Sequence, residues 1–430
     1  MGLKFQAPRG TRDLLPDEIA RWQWVEARAR EVLGRYRYRE IRTPIFEEFE
    51  LFARTSGESS DVVQKEMYRF KDLGDRDLAL RPENTAGVGR AYLEHGLAGQ
   101  GRVHRLWYLG PMFRYGRPQK GRYRQFWQVG AEIIGTPAPG ADVEMINLFV
   151  DLFEAWGFRD LMVAVNSVGT PASRRAYGDQ LRAWLQPVSD RLGPDSQRRF
   201  EQNPLRVLDT KDPRDHEAMQ SLSAPMPRML DSLDAESAAH WQAVLAGLDA
   251  SGIRHELDHG LVRGLDYYTR TAFEVHDRSL GAQSALGGGG RYDGLIESLG
   301  GPSTPGVGFS IGLDRVVLVL EQRGFTPPET ERSVYVVAMD ATRSAAASLV
   351  RELRREFAVD ADLEARAIGA QMKAADKSGA RLAIILGEDE GKRGEVTLRD
   401  LAAGTQEVVK RERLIEALRA RLKPENAETT

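Results

Sequence analysis

The 430-residue chain contains no cysteine, which excludes disulfides and thiolate metal sites and fits a cytoplasmic protein. It has no run of about 18 apolar residues, so no segment is expected to span a membrane. The opening MGLKFQAPRGTRDLLP lacks an apolar stretch behind its lysine, so secretion is not expected. There is no GxxxxGK[ST] and no complete GxGxxG, hence neither a P-loop nor a dinucleotide fingerprint. The seven histidines form no HExxH, and no metal ligands are assigned. The formal net charge of −3 supplies no global field, so any nucleic-acid contact must come from local patches. Internal repeats and low-complexity tracts are absent.

What is present is more specific. The length exceeds one ordinary core and implies two or three domains. Between Glu94 and Glu132 no acid occurs, yet Arg102, Arg105, Arg114, Arg117, Lys120, Arg122 and Arg124 do. A solvated face would explain a charge run. It would not explain the interleaved Trp107, Tyr108, Phe113, Tyr115, Tyr123, Phe126 and Trp127.

Apolar spacing predicts a helix from Asp17 to about Tyr38. EIRTPIFEEFELFART reads as a strand whose Pro44 suggests an edge or interface. Residues 102–115 and 122–134 read as an antiparallel hairpin closed by GRPQKG. A helix from about Ala141 to Trp156 and a strand at LMVAVNSVG follow. Residues 170–253 turn helical and polar, as an inserted module would. Strand character returns at LVRGLDYYTRTAFEV (261–275), runs through the glycine-rich 281–294, and ends in GVGFSIGLDRVVLVLEQRG, a strand passing into a helix. FTPPETER is a linker. Behind it lies a small α/β domain whose 18 acids and 18 bases from Glu331 onward balance.

Without a P-loop, a nucleotide would have to be gripped by side chains, and the arginine fork suits phosphate. Arg114, Arg263 and Arg315 all stand in apolar contexts. A structural ion pair would account for any one of them. Three together, beside glycines that admit a ligand, favour a polyanion such as ATP. In RYRQFWQVGAEII, strand parity puts Arg122, Arg124, Phe126, Gln128, Gly130 and Glu132 on one face. Cations at one end and acceptors at the other suit a ligand with a phosphate and a separate amine or imidazole, though an ordinary sheet surface would read the same way. In LALRPENTAG, Arg81, Glu83 and Thr85 precede a helix, where Glu83 fits first-turn helix chemistry. ALGGGGRYDGL is either a flexible turn or a place where backbone and ligand come close.

These segments resemble the class II aminoacyl-tRNA synthetases, and among them the histidyl-tRNA synthetase family, from about Ala7 to Leu422. EIRTPIFEEFELF is similar to the first class signature, a dimer-interface strand. GPMFRYGRPQKGRYRQFWQVGAEIIG is similar to the second, and GVGFSIGLDRVVLVL to the third. RGLDYYTRTAFE (263–274) and ALGGGGRYD (285–293) resemble motifs of the histidine family alone. The tail resembles an α/β anticodon-binding domain. The implied fold is α+β: a class II catalytic domain at 1–325, an antiparallel sheet flanked by helices, interrupted by the 170–253 helical insertion. The 331–430 segment would be the anticodon-binding domain.

The resemblance implies ATP-dependent attachment of L-histidine to tRNA(His) by a homodimer, with Mg²⁺ across the β- and γ-phosphates. It gives the α-phosphate to Arg114 and Arg263 and the γ-phosphate to Arg315, and places Arg122 among the ATP-binding residues. Glu83, Thr85 and Gln128 would receive the α-amino group of histidine. Glu132 with Tyr268 or Tyr267 would read the imidazole, and Tyr292 would border the pocket. Parity puts Tyr267 and Tyr268 on opposite faces unless Gly264 bends the strand, so either remains a candidate. Three positions depart from the family pattern. Gly116 stands where a glutamate usually meets the adenine amino group, Trp127 where histidine is frequent, and Asn84 where glycine is. Two other readings remain. A non-catalytic regulatory subunit of ATP phosphoribosyltransferase typically lacks the anticodon-binding tail and has a degraded arginine–tyrosine motif. An RNA-binding module would not need Arg263 and Arg315.

Overall fold

The computed structural model describes residues 5–57, 60, 62–117, 121–208, 210, 212–261, 267–283, 285–328 and 333–422. Lys120, Arg263, Gly264 and Glu331 lie outside the described residues. The chain divides into two compact units, Met1–Thr326 and Pro327–Thr430.

The first unit is built on an eight-stranded sheet. Its strand order is Arg39–Glu40, His104–Phe113, Gln125–Ile134, Gly306–Gly312, Ala285–Arg291, Thr269–Asp277, Leu161–Ser167 and His255–Leu257. Only the two outermost pairings are parallel; the rest are antiparallel. Alternation along Gln125–Ile134 sends Val129, Ala131 and Ile133 into the main core. That core is closed by the helices Pro16–Arg35, Pro139–Ala155 and Leu313–Gln322. Phe149 touches both Phe309 and Phe273 there, with ring centroids 4.8 and 5.6 Å apart. The opposite parity, Gln128, Gly130 and Glu132, faces the other side of the sheet, where the site is built. This is the α+β arrangement that the sequence implied: an antiparallel-rich sheet flanked by helices, with a separate α/β unit following it in the chain.

Two local readings are settled. EIRTPIFEEFELFART is not one strand. It contributes Arg39–Glu40 to the large sheet, then Phe46–Glu48 to a three-stranded sheet with Asp77–Leu80 and Arg69–Lys71, then the helix Phe49–Ser56. Pro44 falls between the two strand pieces, where a missing N–H costs no ladder bond. The four glycines of ALGGGGRYD form no turn. Gly287 to Gly290 pair on both edges, with Thr269–Asp277 and Gly306–Gly312. A Cβ on Gly290 would lie 2.5 Å from the Thr271 carbonyl and 2.8 Å from the Tyr268 ring, so only glycine passes there.

The helical segment has its own core of Tyr177, Leu181, Leu185, Val188, Phe200, Val207 and Met229. Its last helix, Ala235–Ala250, instead gives Trp241, Val244 and Leu248 to the main core. The second unit is a five-stranded sheet ordered Val359–Ala361, Val334–Ala338, Leu382–Leu386, Glu395–Asp400 and Gln406–Lys410, its first two pairings parallel. Among the described residues no helix is long and apolar enough to cross a membrane.

Candidate active site

The helix Thr85–Glu94 begins against the open face of the sheet. Glu83 caps it, accepting from the backbone N–H of Thr85 at 2.6 Å and of Ala86 at 3.1 Å. The first-turn role expected for this glutamate is therefore real, and Glu83 also borders a cavity. Burial pushes its carboxyl up, against the pull of those two N–H groups. Arg81 is a brace: its Nε donates to Pro111 O at 3.0 Å and its Nη1 to Thr43 O at 3.2 Å. Asn84 joins the same knot by accepting from Thr43 Oγ1 at 2.6 Å.

The cavity encloses about 270 Å³ and brings together Glu83, Thr85, Arg114, Gln128, Tyr267, Tyr268 and Tyr292. Both tyrosines of the DYY stretch reach it. Parity misjudged them because regular strand begins only at Thr269, so residues 267 and 268 are free of alternation. Their rings lie 4.7 Å apart, and Tyr267 meets the edge of Tyr292 at 5.8 Å. Gln128 Oε1 is buried and accepts no hydrogen bond among the described residues. A buried acceptor without a donor is costly, and a ligand amine would relieve it.

Glu132 does not line the cavity itself but lies directly behind its wall. It accepts from Tyr292 Oη at 2.5 Å and Thr85 Oγ1 at 2.8 Å, and more weakly from Tyr108 Oη at 3.5 Å. Tyr108 sits in the basic and aromatic segment, yet nothing local marked it as a partner of Glu132. A Cβ on Gly308 would collide with the Glu132 carboxylate, so that glycine makes room for the acid. Burial pushes the Glu132 carboxyl up to about 8, opposed by the Tyr292 and Thr85 hydroxyls and reinforced by Glu83.

A carboxyl held protonated in this way makes stability depend on pH. Between its ordinary value of 4.5 and about 8, folded Glu132 holds a proton that the unfolded chain has released. Stability therefore falls as pH rises through that window. Removing the titration with Glu132→Gln is expected to flatten the decline by roughly 1 kcal/mol or more between pH 5.5 and 8, because a tenfold change in proton affinity corresponds to about 1.36 kcal/mol. Denaturant titrations of both proteins at the two pH values check this. Equal pH slopes would show that Glu132 is not held protonated.

A second cavity of about 120 Å³ adjoins the first and includes Arg114, Arg117, Arg122, Phe126 and Arg315. Arg114 and Gly312 border both. Arg114 Nε donates to Pro82 O at 2.9 Å, and its guanidinium lies over Phe126, 5.6 Å from the ring centre. Burial draws its pKa down, partly countered by Glu66 and Glu83. Among the described residues no carboxylate makes an ion pair with it. Arg315 is in the first turn of Leu313–Gln322, where the helix dipole favours a bound anion. Arg122 lines the cavity, but Arg124 turns away, its guanidinium 3.6 Å from the Tyr115 ring centre. Nine of the eleven expected site residues thus line the two adjoining cavities, Glu132 lies behind the wall of the first, and Arg263 lies outside the described residues. Sequence reasoning missed Glu66, a lining residue of the second cavity that nothing in its local context distinguishes.

The architecture has known counterparts. A family model described as Histidyl-tRNA synthetase matches residues 10–316, and one described as Anticodon binding domain matches residues 333–421. The chain is 50% identical over 421 residues to the histidine–tRNA ligase of Thermosynechococcus vestitus, covering 96% of each. The crystal structure of apo S. aureus histidyl-tRNA synthetase superposes with a TM-score of 0.80 at 38% identity, over 96% of this chain and 99% of that one. A Bacillus halodurans structure described as an ATP phosphoribosyltransferase regulatory subunit/histidyl-tRNA synthetase shares the fold, with a TM-score of 0.62 at 22% identity, over 87% and 97%.

Proposed function

We propose, from the premise that this chain belongs to the histidyl-tRNA synthetase family, that it joins L-histidine to tRNA(His) through a histidyl-adenylate. The observation that carries this reading is the shared wall: Arg114 borders both the acceptor-lined cavity and the arginine-lined one. Histidine occupies the first, with its α-amino group received by Glu83, Thr85 and Gln128. Its imidazole is read by Tyr267, Tyr268 and Tyr292, with Glu132 behind them fixing the Tyr292 hydroxyl. ATP occupies the second, its γ-phosphate at Arg315 and Arg122 within reach of the phosphate chain.

The histidine carboxylate then attacks the α-phosphorus in line, and pyrophosphate leaves. The chain needs no nucleophile of its own for this step. It positions the reactants and neutralises charge that grows on the α-phosphate oxygens, the task of Arg114 and, in this reading, Arg263. The terminal ribose hydroxyl of the tRNA next attacks the activated carbonyl, releasing AMP. Among the described residues no cluster of three or more His, Asp or Glu side chains could hold a metal. Magnesium carried by the ATP substrate would supply positive charge to the phosphates beside Arg122 and Arg315. Residues 1–325 would be the catalytic domain, 170–253 its insertion and 331–430 the anticodon reader.

A homodimer in the cytoplasm completes the proposal. Ile45, Phe46 and Phe70 stand exposed on and beside the small sheet, as an unpartnered interface would leave them. The regulatory-subunit alternative is disfavoured by the matched anticodon-binding domain and by the identity to ligases over nearly the whole chain. The test is exchange of labelled pyrophosphate into ATP, expected to depend on histidine.

A further inference from the structure

We propose that Glu66 is the residue that selects adenine in this chain, standing in for the side chain that Gly116 lacks. The inference rests on the ATP reading of the second cavity. Glu66 ends the single turn Val62–Glu66, and its carbonyl accepts the backbone N–H of Tyr115 at 2.6 Å. That bond fixes it beside residue 116. A Cβ built on Gly116 would lie 3.9 Å from Glu66 Oε1, so the carboxylate stands where a side chain from 116 would start.

The chemistry of the cavity sorts its two ends. Arg114, Arg122 and Arg315 attract phosphate, whereas a carboxylate repels it and belongs at the base. The cavity holds a second acid, Asp314, but that carboxylate already accepts the backbone N–H of Trp127 at 2.8 Å. Glu66 makes no ion pair or side-chain hydrogen bond among the described residues. Phe126 supplies an aromatic face on which a purine can stack. With the base on that face, Glu66 accepts from the 6-amino group of adenine. A 6-oxo purine would set oxygen against oxygen, leaving two acceptors without a proton between them.

Equilibrium titration with ATP and with inosine triphosphate (ITP) reads this without turnover. Wild type is expected to bind ATP about tenfold or more tighter than ITP, the range of one hydrogen bond to a charged acceptor. Glu66→Ala should weaken ATP by about tenfold and bring the two nucleotides within about threefold of each other. Glu66→Gln, equal in size, should bind ITP better than Glu66→Ala does, because its amide can donate to the 6-oxygen. It also carries the test if Glu66→Ala fails to fold. Adding Gly116→Glu to Glu66→Ala should restore the preference for ATP. A wild type without preference, or a Glu66→Ala protein whose ATP/ITP ratio stays within about twofold of wild type, overturns the proposal. Absence of histidine-dependent exchange in a protein that still selects ATP through Glu66 would refute the proposed reaction and leave this inference standing.

Discussion

Arg114→Ala is expected to slow histidine-dependent pyrophosphate exchange by about a thousandfold, since removing one preorganised donor at a developing charge costs about 10² to 10³ and a phosphate-directed arginine more. The magnitude follows from where the guanidinium sits. It is half-buried, steered by Pro82 O, and bordered by both cavities, so in the proposed reaction its charge falls beside the bond being made. With no ion-pair partner among the described residues, it holds a desolvated cation ready, and a phosphate gains what no protein carboxylate takes. The substitution removes the steering hydrogen bond but no core packing, so the thermal midpoint should shift little. Arg114→Lys should recover only part of the rate, because an ammonium cannot present two parallel donors. Exchange rates and melting curves on the three proteins decide it. A folded Arg114→Ala protein exchanging within about tenfold of wild type would remove Arg114 from the chemistry.

The largest expected effect on stability lies elsewhere, at Arg291. This guanidinium is completely buried and pairs with Asp142, also completely buried. It further donates to Thr136 O at 3.1 Å and Ala138 O at 3.3 Å, tying the strand Ala285–Arg291 to the start of the helix Pro139–Ala155. Burial works against the charge on Asp142, yet Arg291, with help from His240, holds its carboxyl below the usual range. Arg291→Met would leave that carboxylate in the core with only His240 beside it, at 3.4 Å, and is expected to cost about 3–5 kcal/mol. Arg291→Met combined with Asp142→Leu removes both charges and should return much of the loss. All seven tryptophans precede Pro327, so urea titration followed by tryptophan fluorescence reports the first unit alone. A single variant no less stable than the double variant would contradict the account of this pair.

The contrast between these arginines shows what the sequence makes legible. Arg114 and Arg315 stood out because each interrupts an apolar pattern, and the structure puts both at the cavities. Arg291 is more deeply buried than either, yet it follows four glycines and its partner Asp142 is far away in the chain, so no local pattern signals the pair. Parity placed Gln128 and Glu132 correctly on one face because Gln125–Ile134 is a regular strand. It failed for Tyr267 and Tyr268 because they precede the first strand residue. The strand passing into a helix at GVGFSIGLDRVVLVLEQRG and the antiparallel hairpin were both readable from alternation and spacing. Pro44 was read as an edge or interface position inside one strand, whereas it falls between two, because the change of sheet around it depends on pairing with Asp77–Leu80, which no local window contains. The exposed strand Gln406–Lys410 was missed, since it lacks an apolar face to alternate. The family resemblance supplied what periodicity could not, the identity of the ligands.

Activation of histidine with ATP at the two cavities meeting at Arg114 is the step on which the proposed reaction depends. Its most direct measurement is pyrophosphate exchange with the purified full chain, each of the twenty amino acids in turn, and no tRNA present. The account predicts exchange with histidine that exceeds every other amino acid by at least about a hundredfold, as a pocket that hydrogen-bonds its ligand's polar atoms can achieve. No exchange with histidine from folded protein, or equal exchange with another amino acid, would contradict it.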